Sequence, residues 1–124
     1  MHHKVTESEW NVMELLWQRP HTLMELAAQL HQQVGWAKST VTTVVHRMVE
    51  KELVIFDTHG RTKLFKPNIT REEAAAQEAD SLLRRAYRGS VGLLVSSMVD
   101  RNKLTREEID QLYAIIQEAE ERSK

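Results

Sequence analysis

A mainly α chain with one small β-hairpin is what this sequence predicts, and three observations predict it. Three short amphipathic helical segments fill the first 52 residues, two β-type runs flank a His-Gly pair directly after them, and only helical periodicity follows.

Thr6-Glu7-Ser8-Glu9 reads as a capping box, and Trp10, Met13 and Trp17 recur behind it at helical spacing, so the first helix is expected to end near Arg19-Pro20. Thr22 with Glu25 repeats the signature. Leu23, Leu26, Ala27, Leu30 and Val34 form the stripe of the second helix, closed by Gly35. A third helix runs from Lys38 to Glu52 on an apolar set of Val41, Val44, Val45, Met48 and Val49. Trp10, Trp17, Trp36, Leu26, Leu30 and Met48 are expected in or near the core.

Leu53 to Asp57 and Thr62 to Lys66 are the two strands of a hairpin turning at His59-Gly60, with Pro67 stopping the second. Thr70-x-x-Glu73 opens a long helix to about Arg88, Gly89 interrupts it, and an apolar segment spans Val91 to Val99. Thr105-x-x-Glu108 caps the last helix. The boundary between Pro67 and Thr70 divides the chain into residues 1–69 and 70–124.

The third helix carries an outward face that stability does not explain. Ser39, Thr40, Thr42, Thr43, His46, Arg47 and Lys51 crowd it, and β-branched hydroxyl residues weaken a helix. Helix, helix, helix and hairpin in this order make a helix-turn-helix with a wing, whose third helix fits the DNA major groove. Lys38, Ser39, Thr40, Thr42 and Thr43, near its N-terminal end, would meet bases and phosphates. His46, Arg47 and Lys51 would reach flanking phosphates, and Arg61 and Lys63 would serve from the hairpin. The formal net charge of −1 conceals a local excess: residues 35–66 hold 6 Lys/Arg against 3 Asp/Glu, whereas 70–124 hold 9 against 11. The fold class is therefore a winged helix-turn-helix DNA-binding domain followed by a helical domain.

In that second domain Leu82, Leu93, Leu94, Met98, Leu104, Ile109, Leu112, Ile115 and Ile116 form either an intramolecular core or an interface between two chains. With only Tyr87 and Tyr113 as aromatics, an isolated core of this size would be marginal, which favours a homodimer.

The run Glu9-Trp10-x-Val12-Met13-x-x-Leu16-Trp17, then Trp36-x-x-x-Thr40-Val41-x-Thr43-x-x-x-Arg47-Met48-Val49-x-Lys51, then Gly60-Arg61, resembles the penicillinase-repressor family over nearly the whole length. The resemblance implies a homodimeric repressor on a palindromic double-stranded operator, with interlocked C-terminal helices and Ser39, Thr40, Thr42 and Thr43 near bases and phosphates. Ser39 stands where a lysine is frequent, which implies a different operator sequence. The resistance-type members are cut by an inducing protease at an Asn-Phe bond, whose place is taken here by Ser97-Met98. Copper-responsive members end in a cysteine-rich site, and this chain has no cysteine.

The absence of cysteine excludes disulfides and thiolate metal sites and fits a cytoplasmic protein. No apolar run approaches the roughly 18 residues of a membrane span, and neither a signal peptide nor membrane embedding is expected. No metal or other cofactor is expected. The Met1 amine with His3 in third position could chelate Cu(II) or Ni(II), a reading set aside as incidental. Phosphate loops, paired-carboxylate pockets and nucleophile triads are absent from the sequence, so catalysis is not expected. The rival readings are a winged helix that binds protein, and release from DNA by a small-molecule or metal signal.

Overall fold

The computed structural model describes residues 3–124; Met1 and His2, and with them the expected amine chelate, lie outside the described residues. The chain divides into two compact units, Met1–Ala79 and Asp80–Lys124. The first unit therefore extends ten residues beyond position 69.

Its elements are α1 (Glu7–Leu16), β1 (His21–Thr22), α2 (Leu23–Val34), α3 (Lys38–Glu50), β2 (Val54–His59) and β3 (Thr62–Pro67), followed by α4 (Arg71–Tyr87), which runs on into the second unit. Capping boxes start α1 and α2 as the sequence predicts: Thr6 accepts from the Glu9 amide while Glu9 accepts from the Thr6 amide, and Thr22 and Glu25 repeat the exchange. Gly35, at φ 72°, ends α2 in the left-handed region that glycine reaches without strain. Helix α1 stops at Leu16, earlier than the Arg19-Pro20 stop, because residues 21 and 22 form a strand that two-residue brevity hid from periodicity. Strand β1 pairs antiparallel with β3, giving a three-stranded sheet of order β1-β3-β2 rather than an isolated hairpin.

The core sits where α1, α2, α3 and the sheet meet. Val12, Met13 and Leu16 of α1, Leu26 and Leu30 of α2, and Val41 and Met48 of α3 are all buried, with Leu53, Val54, Phe65 and Ile69 closing it below. Trp10, Trp17 and Trp36 are partly buried against this cluster. Val34, included in the sequence stripe, is 42% exposed as the last residue of α2.

Two polar ties fix the first unit around that core. Lys51, just past the end of α3, donates to Glu9 Oε1 at 2.7 Å, and Glu9 is fully buried. Trp17 donates its indole N–H to the Ile69 carbonyl at 2.9 Å, and Arg71 lies 4.6 Å over the Trp17 ring. The Arg71 guanidinium then grips Glu14 through two bonds of 2.6 and 2.7 Å.

The second unit comprises the end of α4, α5 (Val91–Asp100) and α6 (Arg106–Arg122), the last opened by a Thr105/Glu108 capping box. Among the described residues no apolar side chain beyond Ala74 is buried. Leu93, Ile115 and Ile116 are each more than half exposed, and Leu94, Met98, Leu104, Ile109 and Leu112 are only partly covered.

Removing one member of a buried pair leaves the other charge uncompensated. Lys51→Met should therefore cost on the order of 3 kcal/mol in urea unfolding followed by tryptophan fluorescence, since all three tryptophans lie in the first unit. The Arg71 hydrogen bond holds the Glu14 carboxyl below its ordinary 4.5. Its stabilising contribution is present above that value and is lost as the pH falls through the lowered one. Glu14→Gln should accordingly unfold at lower temperature than the parent at pH 7, the gap closing below about pH 4.

Candidate nucleic-acid interface

The apolar side of α3 is consumed by the core, which turns its other side to solvent. Lys38, Ser39, Thr40, Thr42, Thr43, His46 and Arg47 are all exposed. The helix starts differently from α1, α2 and α6. Its N-cap is Ala37, which offers no side-chain acceptor, and no acidic residue stands in its first turn. The unsatisfied amides and positive dipole end therefore remain open to an anion. Sequence reading did not single out this uncapped end; the missing Ser/Thr/Asp/Asn before Lys38 was the available signal.

The hydroxyls of Thr42 and Thr43 donate back to the carbonyls of Lys38 and Ser39, each at 3.0 Å. With those protons engaged, the hydroxyl oxygens of these exposed residues can still accept from base amino groups, and their methyl groups suit thymine methyls. His46 lies 3.7 Å from Glu50 on the next turn.

The wing is the β2–β3 hairpin, paired from Val54↔Pro67 to His59↔Thr62. Gly60 and Arg61 form its two-residue turn, and Gly60 takes the positive φ of 65° that the first central position of a II′-type turn requires. Wing and helix converge: Thr42 and His46 of α3 and Arg61 and Lys63 of the hairpin line one groove.

Lys51 does not belong to this face. It was expected to reach a flanking phosphate, but the turn after α3 directs it inward to Glu9, and its side chain is 20% exposed. The helix ends at Glu50 rather than Glu52, and this shortening places Lys51 at the cap. Lys66, within the stretch of local positive charge, is likewise engaged, at 2.9 Å from Asp57, whose carboxyl it holds below the usual range.

Pairing sorts the cations of the first unit. Lys4, Arg19, Lys51, Lys66 and Arg71 each meet a carboxylate. Lys38, Arg47, Arg61 and Lys63 take part in no ion pair among the described residues, and all four lie on α3 or the wing. Among the described residues no group of three or more His, Cys, Asp or Glu is placed to hold a metal, and no helix is long and apolar enough to cross a membrane.

Three helices around one core, with a sheet whose hairpin stands beside the exposed face of the third, define a winged-helix protein of the DNA-binding class. The penicillinase repressor family model matches residues 5–118, and the chain belongs to that family. Membership places it among DNA-binding transcriptional repressors. The penicillinase repressor of Bacillus licheniformis is 26% identical over 122 residues, covering 98% of this chain and 95% of the relative. The methicillin resistance regulatory protein MecI of Staphylococcus aureus is 23% identical over 117 residues, covering 92% and 94%. In fold, the chain is similar to the DNA-binding domain of the repressor BlaI in solution, at 22% identity and a TM-score of 0.53 across 59% of this chain and 93% of that one.

Proposed function

We propose that this chain represses transcription as a homodimer, each protomer reading one half of a two-fold-symmetric operator with α3 in the major groove and the wing on the adjoining backbone. The observation that carries the reading is the sorting of charge: among the described residues, the four Lys/Arg of the first unit without an ion pair are those on α3 and the wing. Lys38 and the uncapped start of α3 take phosphate, Thr40, Thr42, Thr43 and Ser39 face base edges, and Arg47, Arg61 and Lys63 hold the flanks. Both named full-length relatives are a repressor or a regulatory protein, which supports this role over a protein-docking winged helix.

The second unit supports the dimer. Apolar side chains at Leu82, Leu93, Ile115 and Ile116 stand exposed and, among the described residues, no buried apolar side chain of the second unit lies beneath them, so burial against a second copy supplies what the single chain lacks. Two half-sites held by one dimer make affinity depend on keeping the pair intact. Relief by proteolysis at Ser97-Met98 would act on that dependence. The bond lies inside α5, half-buried, with Tyr87 donating to the Ser97 hydroxyl at 3.5 Å, so a protease must first unwind the helix.

Thr40→Ala with Thr43→Ala should weaken binding to duplex DNA from the promoter of its own gene on the order of tenfold; unchanged binding would refute the reading. Arg61→Ala should weaken all sequences alike and lower the slope of log K against log salt by about 1. Sedimentation should give about twice the 14.4 kDa chain mass at micromolar concentration. Ile116→Asp should shift the particle to monomer while leaving tryptophan fluorescence of the first unit unaltered.

A further inference from the structure

The groove between α3 and the wing is more than a seam. It has a volume of about 810 Å³, in the range of small-molecule sites. Leu23, Val45, Val49, Phe56 and Phe65 give it apolar walls, and the two phenylalanine rings stand 5.6 Å apart, tilted by 58°. Its charged lining is of one sign. Arg61 and Lys63 stand there, and among the described residues no carboxylate lines it. The Lys63 ammonium rests 4.5 Å over the Phe56 ring, directly beside an apolar wall.

We propose that this groove binds a small aromatic carboxylate, and that such a ligand releases the repressor from DNA by occupying its face. The aromatic body lies against Phe56, Phe65 and Val45, where burial of apolar surface and ring packing hold it. The carboxylate pairs with Lys63 and Arg61 through charge-assisted hydrogen bonds. Charge complementarity selects this occupant: a neutral aromatic leaves both cations without an anion, and a second protein surface would need an acidic, aromatic protrusion to match both. Thr42, His46, Arg61 and Lys63 belong at once to the groove and to the proposed DNA contacts, so ligand and operator exclude one another. The exclusion rests on the DNA reading above; binding to the groove does not.

The test uses the full chain, 2-naphthoate as the probe and uncharged 2-naphthamide as its control. Without DNA, 2-naphthoate should shift the NMR resonances of Phe56, Val45 and Val49, and naphthamide should bind about tenfold or more weakly. Phe56→Leu, which keeps an apolar residue in the wing, should weaken 2-naphthoate about three- to tenfold and leave DNA affinity in its absence unchanged. In wild type the apparent Kd for promoter DNA should rise in proportion to naphthoate concentration. Equal binding of acid and amide, shifts confined to residues 80–124, or concentration-dependent shifts at the groove without probe, which mark a second copy seated there, each overturn the ligand site. Simultaneous binding of 2-naphthoate and DNA overturns the release mechanism. A chain that binds 2-naphthoate at Phe56 yet no promoter DNA refutes the repressor reading and leaves the ligand site standing.

Discussion

The ion pair between Glu9 and Lys51 is the constraint on which the reading head depends. Glu9 closes the capping box of α1 with the same Oε1 that accepts from Lys51, so the helix start holds the carboxylate the lysine meets. Lys51 in turn is the C-cap of α3, and the pair therefore locks where that helix ends. From there the chain must reverse at once. Glu52 adopts the left-handed region at φ 62°, at a cost of about 1 kcal/mol, and Asn68 donates to its carbonyl at 2.9 Å. Strand β2 begins two residues later, so the wing stands beside the exposed face of α3 because the helix stops where it does. Among the described residues Glu9 Oε2 meets no hydrogen-bond partner, which marks the pair as serving geometry at some cost in solvation.

The same principle, pairing rather than composition, shapes the surface. A chain of net charge −1 gains a cationic face when the other lysines and arginines of its first unit are neutralised locally. Lys51 is withdrawn into the core boundary, Lys66 is held across the wing by Asp57, and Arg71 is clamped between Glu14 and the Trp17 ring. In the first unit, among the described residues, what remains without an ion pair is Lys38, Arg47, Arg61 and Lys63, together with the uncapped start of α3. Local potential, and not the sum over the chain, governs phosphate attraction at distances within a Debye length of about 8 Å.

Much of this was legible because it rests on local rules. Thr6/Glu9, Thr22/Glu25 and Thr105/Glu108 announce helix starts by a reciprocal hydrogen bond that spans three residues, and Gly35 and Gly60 mark backbone that other residues resist. Val41, Val44, Val45 and Met48 revealed the buried side of α3 by spacing, and so revealed the exposed side as its complement. The failures are long-range. Strand β1 exists only because His21 and Thr22 meet Phe65 and Leu64 across the fold. Lys51 was assigned outward because its partner lies 42 residues away, and the groove was invisible because helix and wing residues approach only in three dimensions.

The two units solve opposite problems with the same kind of residue. In the first, apolar side chains are spaced so that one chain closes its own core, and polar residues are what the outside can offer to a partner. In the second, Leu93, Ile115 and Ile116 face outward and the caps and charges of α6 merely keep the helix formed. Such a segment gains little by folding alone, since covering apolar area is the main favourable term in folding and it covers little. On the proposed reading, dimerisation supplies that burial and operator binding draws on it, because separated protomers each face DNA with half the contacts. A ligand in the groove would act on the other factor, the affinity of each half. Release by breaking the pair and release by blocking the face are then independent, and their effects on operator affinity would multiply.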